Sequence, residues 1–273
     1  MKIELAQYKP VLGDVKKNLE NIVRICRESI KNKNNLIVFP ELALSGYLLE
    51  DLAFSTGMRE IPGELLELSK EISIVIGGVE RGSDRYIYNS AYYLEGGEIL
   101  HTHRKVYLPT YGMFDEARYF RAGNSIMAFH TKFGKIGMLI CEDMWHPASA
   151  FILAQDGAEH IIVLTNSPAR GLGDEMTIEE EWDSLLHSAA ISNTVFITMV
   201  NRTGVEDGVS FWGGSRIYAP NGDKILSMED FRDYSQSAEL DYNLIDRVRF
   251  AGGTAKNENL PLILKELNRV WKG

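Results

Sequence analysis

Short, largely apolar runs recur along this chain at residues 36–39, 74–79, 136–140, 161–164 and 195–200. Stretches with helical spacing lie among them. Leu19, Ile22, Val23, Cys26 and Ile30 mark one helical face, with Asp14 placed to cap its N-terminus. Residues 148–155 and 178–192 read as further helices, and Pro62 opens a shorter one that the pattern carries to Ile72. Strands alternating with helices predict an α/β fold. The N-terminal eight residues alternate as a strand, residues 86–94 and 98–101 form a hairpin turned at Gly96-Gly97, and residues 210–240 read as short strands around an Asn221-Gly222 turn.

A chain of 273 residues that is 45% hydrophobic can bury a large core, and without a repeat or a linker we expect one domain over residues 1–273. The 38 acidic against 29 basic residues, a formal charge of −9, argue against a nucleic-acid partner. No run approaches the eighteen or so apolar residues of a membrane span, and residues 1–8 lack the apolar core of a signal peptide, so no membrane association and a cytoplasmic location are expected. The two cysteines, Cys26 and Cys141, do not form a disulfide framework. A final helix, residues 260–271, carries Leu260, Ile263, Leu264, Leu267 and Trp271 on one face. With it, residues 257–273 could dock on their own domain or on a partner subunit.

Three residues stand where apolar runs give way to polar ones or close by. Cys141 ends the run 136–140 and is followed by Glu-Asp-Met-Trp-His; Glu41 follows the run 36–39 and Pro40; Lys105 lies in His-Arg-Lys-Val-Tyr-Leu-Pro. Cleaving an amide takes a nucleophile, a group to hold the tetrahedral oxyanion and a proton for the departing nitrogen. A thiol, an ammonium and a carboxylate supply these three. Singly, Cys141 reads as a packing residue, Glu41 as a loop carboxylate or cap, and Lys105 as a solvated charge; it is the combination that favours catalysis. A papain-like Cys/His protease lacks its Cys-Gly-Ser-Cys-Trp setting here. A zinc site drawing on His101, His103 and His146 lacks a compact ligand cluster, and the His-x-His pair reads as facing the surface. A non-catalytic binding module would be expected to have lost a member of the trio.

These segments resemble the nitrilase, or carbon-nitrogen hydrolase, superfamily over nearly the full chain. The matching stretches are residues 39–47 (Phe-Pro-Glu-Leu-Ala-Leu-Ser-Gly-Tyr), 104–109 (Arg-Lys-Val-Tyr-Leu-Pro) and 140–145 (Ile-Cys-Glu-Asp-Met-Trp), in the family's order. The resemblance implies a four-layer α-β-β-α sandwich, subunits paired into a homodimer or a higher even oligomer, and no cofactor. It implies Cys141 as nucleophile, Glu41 as general base and acid, Lys105 as oxyanion donor, and Glu116, in Phe-Asp-Glu-Ala-Arg-Tyr-Phe, as a second carboxylate positioning the lysine and substrate. Residues 201–208 and 211–215 are similar to stretches that pack around the pocket, and we assign neither Arg202 nor Glu206 to catalysis.

Residues 41–52, 108–120 and 141–145 resemble the glutaminase domain of glutamine-dependent NAD synthetases more than true nitrilases. That likeness implies that Tyr111, Glu142 and Ser167 line an amide pocket. It weakens after Asn166-Ser-Pro, where Arg170 is a candidate contact for a substrate carboxylate. No P-loop phosphate motif occurs, so this chain is not expected to make NAD itself. The expected function is hydrolysis of a small linear amide, glutamine-like or otherwise, through a cysteine thioester. The alternatives are acyl or nitrogen transfer to an acceptor or a partner synthetase, and N-carbamoyl-amine hydrolysis.

Overall fold

The computed structural model describes residues 1–169, 177–252 and 257–272. In chain order the first half runs β1 (Lys2–Gln7), α1 (Val15–Lys31), β2 (Leu36–Val38), α2 (Leu52–Thr56), α3 (Gly63–Leu68), β3 (Ser73–Arg81), β4 (Ile87–Glu95), β5 (Glu98–Arg104), α4 (Glu116–Tyr119) and β6 (Ala128–Thr131). The second half runs β7 (Gly134–Ile140), α5 (Glu142–Trp145), α6 (Pro147–Gln155), β8 (His160–Thr165), α7 (Ile178–Asn193), β9 (Phe196–Asn201), β10 (Thr203–Glu206), β11 (Val209–Trp212), β12 (Arg216–Tyr218), β13 (Lys224–Ser227), β14 (Tyr234–Glu239), α8 (Asn243–Ala251) and α9 (Leu260–Lys272).

Two six-stranded mixed sheets result, ordered β14-β1-β2-β3-β4-β5 and β13-β12-β9-β8-β7-β6, with β10 and β11 as a separate hairpin. Parallel pairs occupy the middle of each sheet and antiparallel pairs the flanks. The apolar runs are continuous because both faces of these strands are covered. Leu36 and Val38 face Ile136, Met138, Ile140, Ile162 and Leu164 in the core between the sheets. Ile37, Ile74 and Ile76 turn outward under Ile22, Ile25 and Cys26 of α1 and Leu65 of α3. Leu139, Ile161 and Val163 turn outward under Leu153 of α6 and Trp182, Leu186 and Ala190 of α7. The layers are thus α-β-β-α, as expected.

Local signals behave as their chemistry predicts. The Asp14 side chain accepts from the Lys17 N–H at 3.0 Å and caps α1. Thr177 and Glu180 form a reciprocal capping box at the start of α7. Gly96 and Gly97 turn the β4–β5 hairpin at φ of +65° and +91°. One expectation shifts. The helix opened by Pro62 ends at Leu68 rather than Ile72. The helices α2, α4, α5 and α8 and strand β6 are too short or too weakly patterned to have stood out. On α9 the apolar face is largely exposed: Leu264 61%, Leu267 60% and Trp271 84%.

Candidate active site

Each chemical group sits at the end of an element whose length fixes its depth. β2 stops at Val38, and the chain from Phe39 turns across β3, where Gly77 leaves room for it. A Cβ on Gly77 would stand 2.4 Å from the Leu42 nitrogen and 2.8 Å from the Glu41 Cα. β5 delivers Lys105, whose N–H donates to the Asn89 carbonyl at 2.9 Å. β7 delivers Cys141 in a strained turn, φ +46° and ψ −101°. A non-glycine residue held there costs about 1–3 kcal/mol, a cost typical of functional turns.

The expected trio and its supporting carboxylate are brought together. Lys105 Nζ donates to Glu41 Oε1 at 2.8 Å and to Glu116 Oε1 at 2.7 Å, with the lysine and Glu41 side chains wholly buried. Asn89 Nδ2 donates to the same Glu41 oxygen at 2.7 Å, and Asn166 Nδ2 holds the Glu41 carbonyl at 2.8 Å. Tyr47 donates its hydroxyl proton to Glu116 Oε1 at 2.6 Å. Among the described residues, the second oxygens of Glu41 and Glu116 are buried and have no hydrogen-bond partner.

Two carboxylates around one buried ammonium are an unbalanced charge set. Burial first, then the Glu41 charge, pushes the Glu116 carboxyl up to about 7 against the pull of Lys105. Burial alone would lower the Lys105 ammonium, but Glu116 and Glu41 outweigh it and hold the lysine charged, well above its usual range. Burial and then the Glu41 charge hold the Cys141 thiol well above its ordinary value, although Lys105 and an N–H from Asn166 act the other way. The resting sulfur is therefore a thiol, next to a carboxylate, and not a free thiolate.

Comparison with known proteins shows the family. The carbon-nitrogen hydrolase family pattern matches residues 2–250. The chain belongs to the carbon-nitrogen hydrolase family. This hydrolase is 31% identical over 279 residues to a probable nitrilase of Schizosaccharomyces pombe, covering 97% of both proteins. It is also 30% identical over 243 residues to a glutamine-dependent NAD(+) synthetase of Acinetobacter baylyi, covering 88% of this chain and 44% of that one. The chain thus spans less than half the length of the synthetases it matches. Its fold superposes on a carbon-nitrogen hydrolase from Helicobacter pylori G27 with a TM-score of 0.88, at 24% identity over 98% of each chain. The sandwich is nitrilase-like.

On the open side of Cys141 the hydrolase has a cavity of about 300 Å³ lined by Tyr111, Phe114, Glu142, Trp145, Ser167 and Trp182, among others. Tyr111, half exposed at its rim, donates to Glu142 Oε2 at 2.8 Å. Ser167 is buried, and its Oγ accepts the indole N–H of Trp182 at 3.0 Å and of Trp212 at 3.2 Å. A hydroxyl has two acceptor positions and one proton; with both acceptors filled, Ser167 is left as a donor. Tyr111, Glu142 and Ser167 therefore share one cavity with Cys141. Arg170 lies outside the described residues.

The histidine reading is corrected. His103 does not face the surface: it is 2% exposed, with Nε2 2.8 Å from Asp143 Oδ2. His101 stacks on Phe129 and His146 on Tyr107, so the three histidines serve three different contacts. Reading the sequence also missed Tyr47, Asn89, Asn166 and Asp143. Tyr47, Asp143 and Asn166 lay inside stretches already singled out, but their pairings, like that of Asn89, depend on the sheet order. No helix among the described residues is long and apolar enough to cross a membrane.

Proposed function

We propose that this carbon-nitrogen hydrolase cleaves a small linear amide through a thioester on Cys141. What chiefly supports this reading is the buried Glu41–Lys105–Glu116 set placed beside a thiol that opens onto a cavity. As the sulfur attacks the carbonyl carbon, its proton passes to Glu41, and the carbonyl π pair becomes an oxyanion. The Cys141 N–H is committed to the Leu164 carbonyl at 2.9 Å, so the backbone donor for the oxyanion is the N–H of Glu142, with Lys105 Nζ opposite. Collapse breaks the C–N bond, and nitrogen takes the proton from Glu41 and leaves as ammonia or amine. A water then gives a proton to Glu41, adds to the thioester, and the sulfur leaves and is reprotonated.

Within the cavity, the Ser167 hydroxyl donates to an acceptor on the acyl group, and the Tyr111–Glu142 pair meets its polar end. Arg170 is assigned to a substrate carboxylate. The catalyst needs no cofactor in this scheme, and the exposed apolar face of α9 is assigned to a partner subunit in a homodimer or higher even oligomer. The proposed location is the cytoplasm, with residues 1–273 acting as one domain.

The test is intact-mass spectrometry of wild type and Cys141→Ala after incubation with primary amides, carbamoyl-amines and nitriles, coupled to an ammonia assay. An adduct on wild type alone, with ammonia released, is the expected result, and its mass names the acyl group. Ammonia release by Cys141→Ala would overturn the assignment. The synthetase relatives favour a second reading, in which ammonia passes to a separate acceptor or synthetase; adding nucleophiles and following the products separates it from simple hydrolysis.

A further inference from the structure

Asp143 is wholly buried two residues past the nucleophile, and every one of its acceptor positions is occupied. Oδ1 accepts the backbone N–H groups of Val106 and Tyr107, each at 2.9 Å. Oδ2 accepts the Ile140 N–H at 3.0 Å and faces His103 Nε2 at 2.8 Å. A carboxylate offers about four lone-pair positions, and here they join the residue before Cys141 to the two residues after Lys105 and to the histidine two residues before it. β5 and β7 lie in different sheets, so no strand ladder fixes the distance between the lysine and the nucleophile.

We propose that Asp143 and His103 are positioning residues that set the separation of the Lys105 ammonium from Cys141, and with it the width of the oxyanion site. The inference rests on the roles given to Cys141 and Lys105 above. His103 donates from Nε2 and holds the carboxylate in the plane that reaches three backbone N–H groups. Without that bond, Oδ2 keeps a single partner and the carboxylate can rotate, letting the lysine segment drift from the nucleophile turn. Neither residue touches the substrate.

Two reactions of the same sulfur separate positioning from general damage. Acylation by p-nitrophenyl acetate passes through a tetrahedral oxyanion; alkylation by iodoacetamide displaces iodide and forms none. In the full-length protein, with modification scored at Cys141 by peptide mass, His103→Leu is expected to slow acylation at least about tenfold, within the reach of a lost oxyanion donor. Alkylation should change by less than about threefold. His103→Gln, which returns an N–H close to the Nε2 position, should recover most of the acylation rate. If His103→Leu does not fold, Asp143→Asn, which turns an NH2 group toward N–H donors, is read by the same ratio. Equal losses in both reactions, or no loss in either, would overturn the proposal. A wild type that alkylates but never acylates would instead sink the amide-hydrolase reading beneath it.

Discussion

Arg202 and Glu206 form an ion pair at 2.6 Å in which neither side chain reaches solvent to a meaningful degree. The other oxygen of Glu206 accepts the N–H groups of Tyr47 and Leu48, each at 2.8 Å, and Tyr47 in turn donates to the Glu116 oxygen that receives Lys105. The pair therefore anchors, from behind, the segment that orients the supporting carboxylate. Phe211 packs against both ends of this chain, its ring 4.3 Å from the Arg202 guanidinium carbon and 6.1 Å, edge-on, from the Tyr47 ring.

Breaking a buried pair by removing one partner costs about 3–5 kcal/mol, whereas replacing both with apolar groups is often neutral. Arg202→Met alone should show that loss in urea unfolding. Arg202→Met combined with Glu206→Leu should regain only part of that stability and stay slow in ammonia release, because the Tyr47 and Leu48 N–H groups have lost their acceptor. Full recovery of turnover in the double variant would show that the pair serves stability alone.

Gly77→Ala places a methyl group 2.4 Å from the Leu42 nitrogen and 2.7 Å from the Pro40 carbonyl oxygen. Those neighbours are backbone and cannot swing aside. The variant should lose about 1–3 kcal/mol, as overpacked cores do, and should lose turnover as well, because the displaced residue is Glu41. A thermal melt with a rate assay checks both.

The raised Glu116 carboxyl carries a pH signature. A carboxyl at 4.5 when unfolded and about 7 when folded binds more protons in the folded state between those values, so its contribution is complete below 4.5 and is lost as pH rises through 7. Glu116→Gln keeps the acceptor used by Lys105 and Tyr47 but has no proton to lose. The melting temperature of wild type relative to this variant should therefore fall between about pH 4.5 and 7. A constant difference across that range would show that Glu116 does not titrate there.

Ser167→Ala strands the indole N–H groups of Trp182 and Trp212, and each unsatisfied buried donor costs about 1–3 kcal/mol. It should destabilise the protein more than Trp212→Phe, which leaves Ser167 one indole partner. If Ser167 also donates to the acyl group, its loss raises KM for the substrate found by mass spectrometry; Lys105→Met should instead lower kcat by roughly 10²–10³. The contrast is read from steady-state kinetics on the same substrate.

The layers and the chemical trio were legible because both depend on short-range pattern. Runs such as residues 136–140 are continuously apolar only when a strand is covered on two faces, and the end of such a run is where a polar side chain emerges. Asp14, Gly96 and Gly97 were legible for the same local reason. His103 was misread because a strand histidine beside an arginine carries no sign of burial until the partner is known, and Asp143 comes from α5, which follows β7 of the other sheet. Glu206 could not be tied to Tyr47 across a sequence separation of 159. The apolar face of α9 was legible as a face, yet its neighbour was not.

The pairing of β1 with β14 runs from Lys2 opposite Glu239 to Gln7 opposite Tyr234, and the Met1 amino group adds a bond to the Leu240 carbonyl at 2.8 Å. On the ribosome, β1 is thus made long before the strand that completes it. Until residues 234–239 emerge, one edge of β1 has its backbone groups open to any passing strand. A nascent chain stalled short of Tyr234 would hold an apolar half-sheet with an unguarded border along β1, remote in sequence from the chemistry.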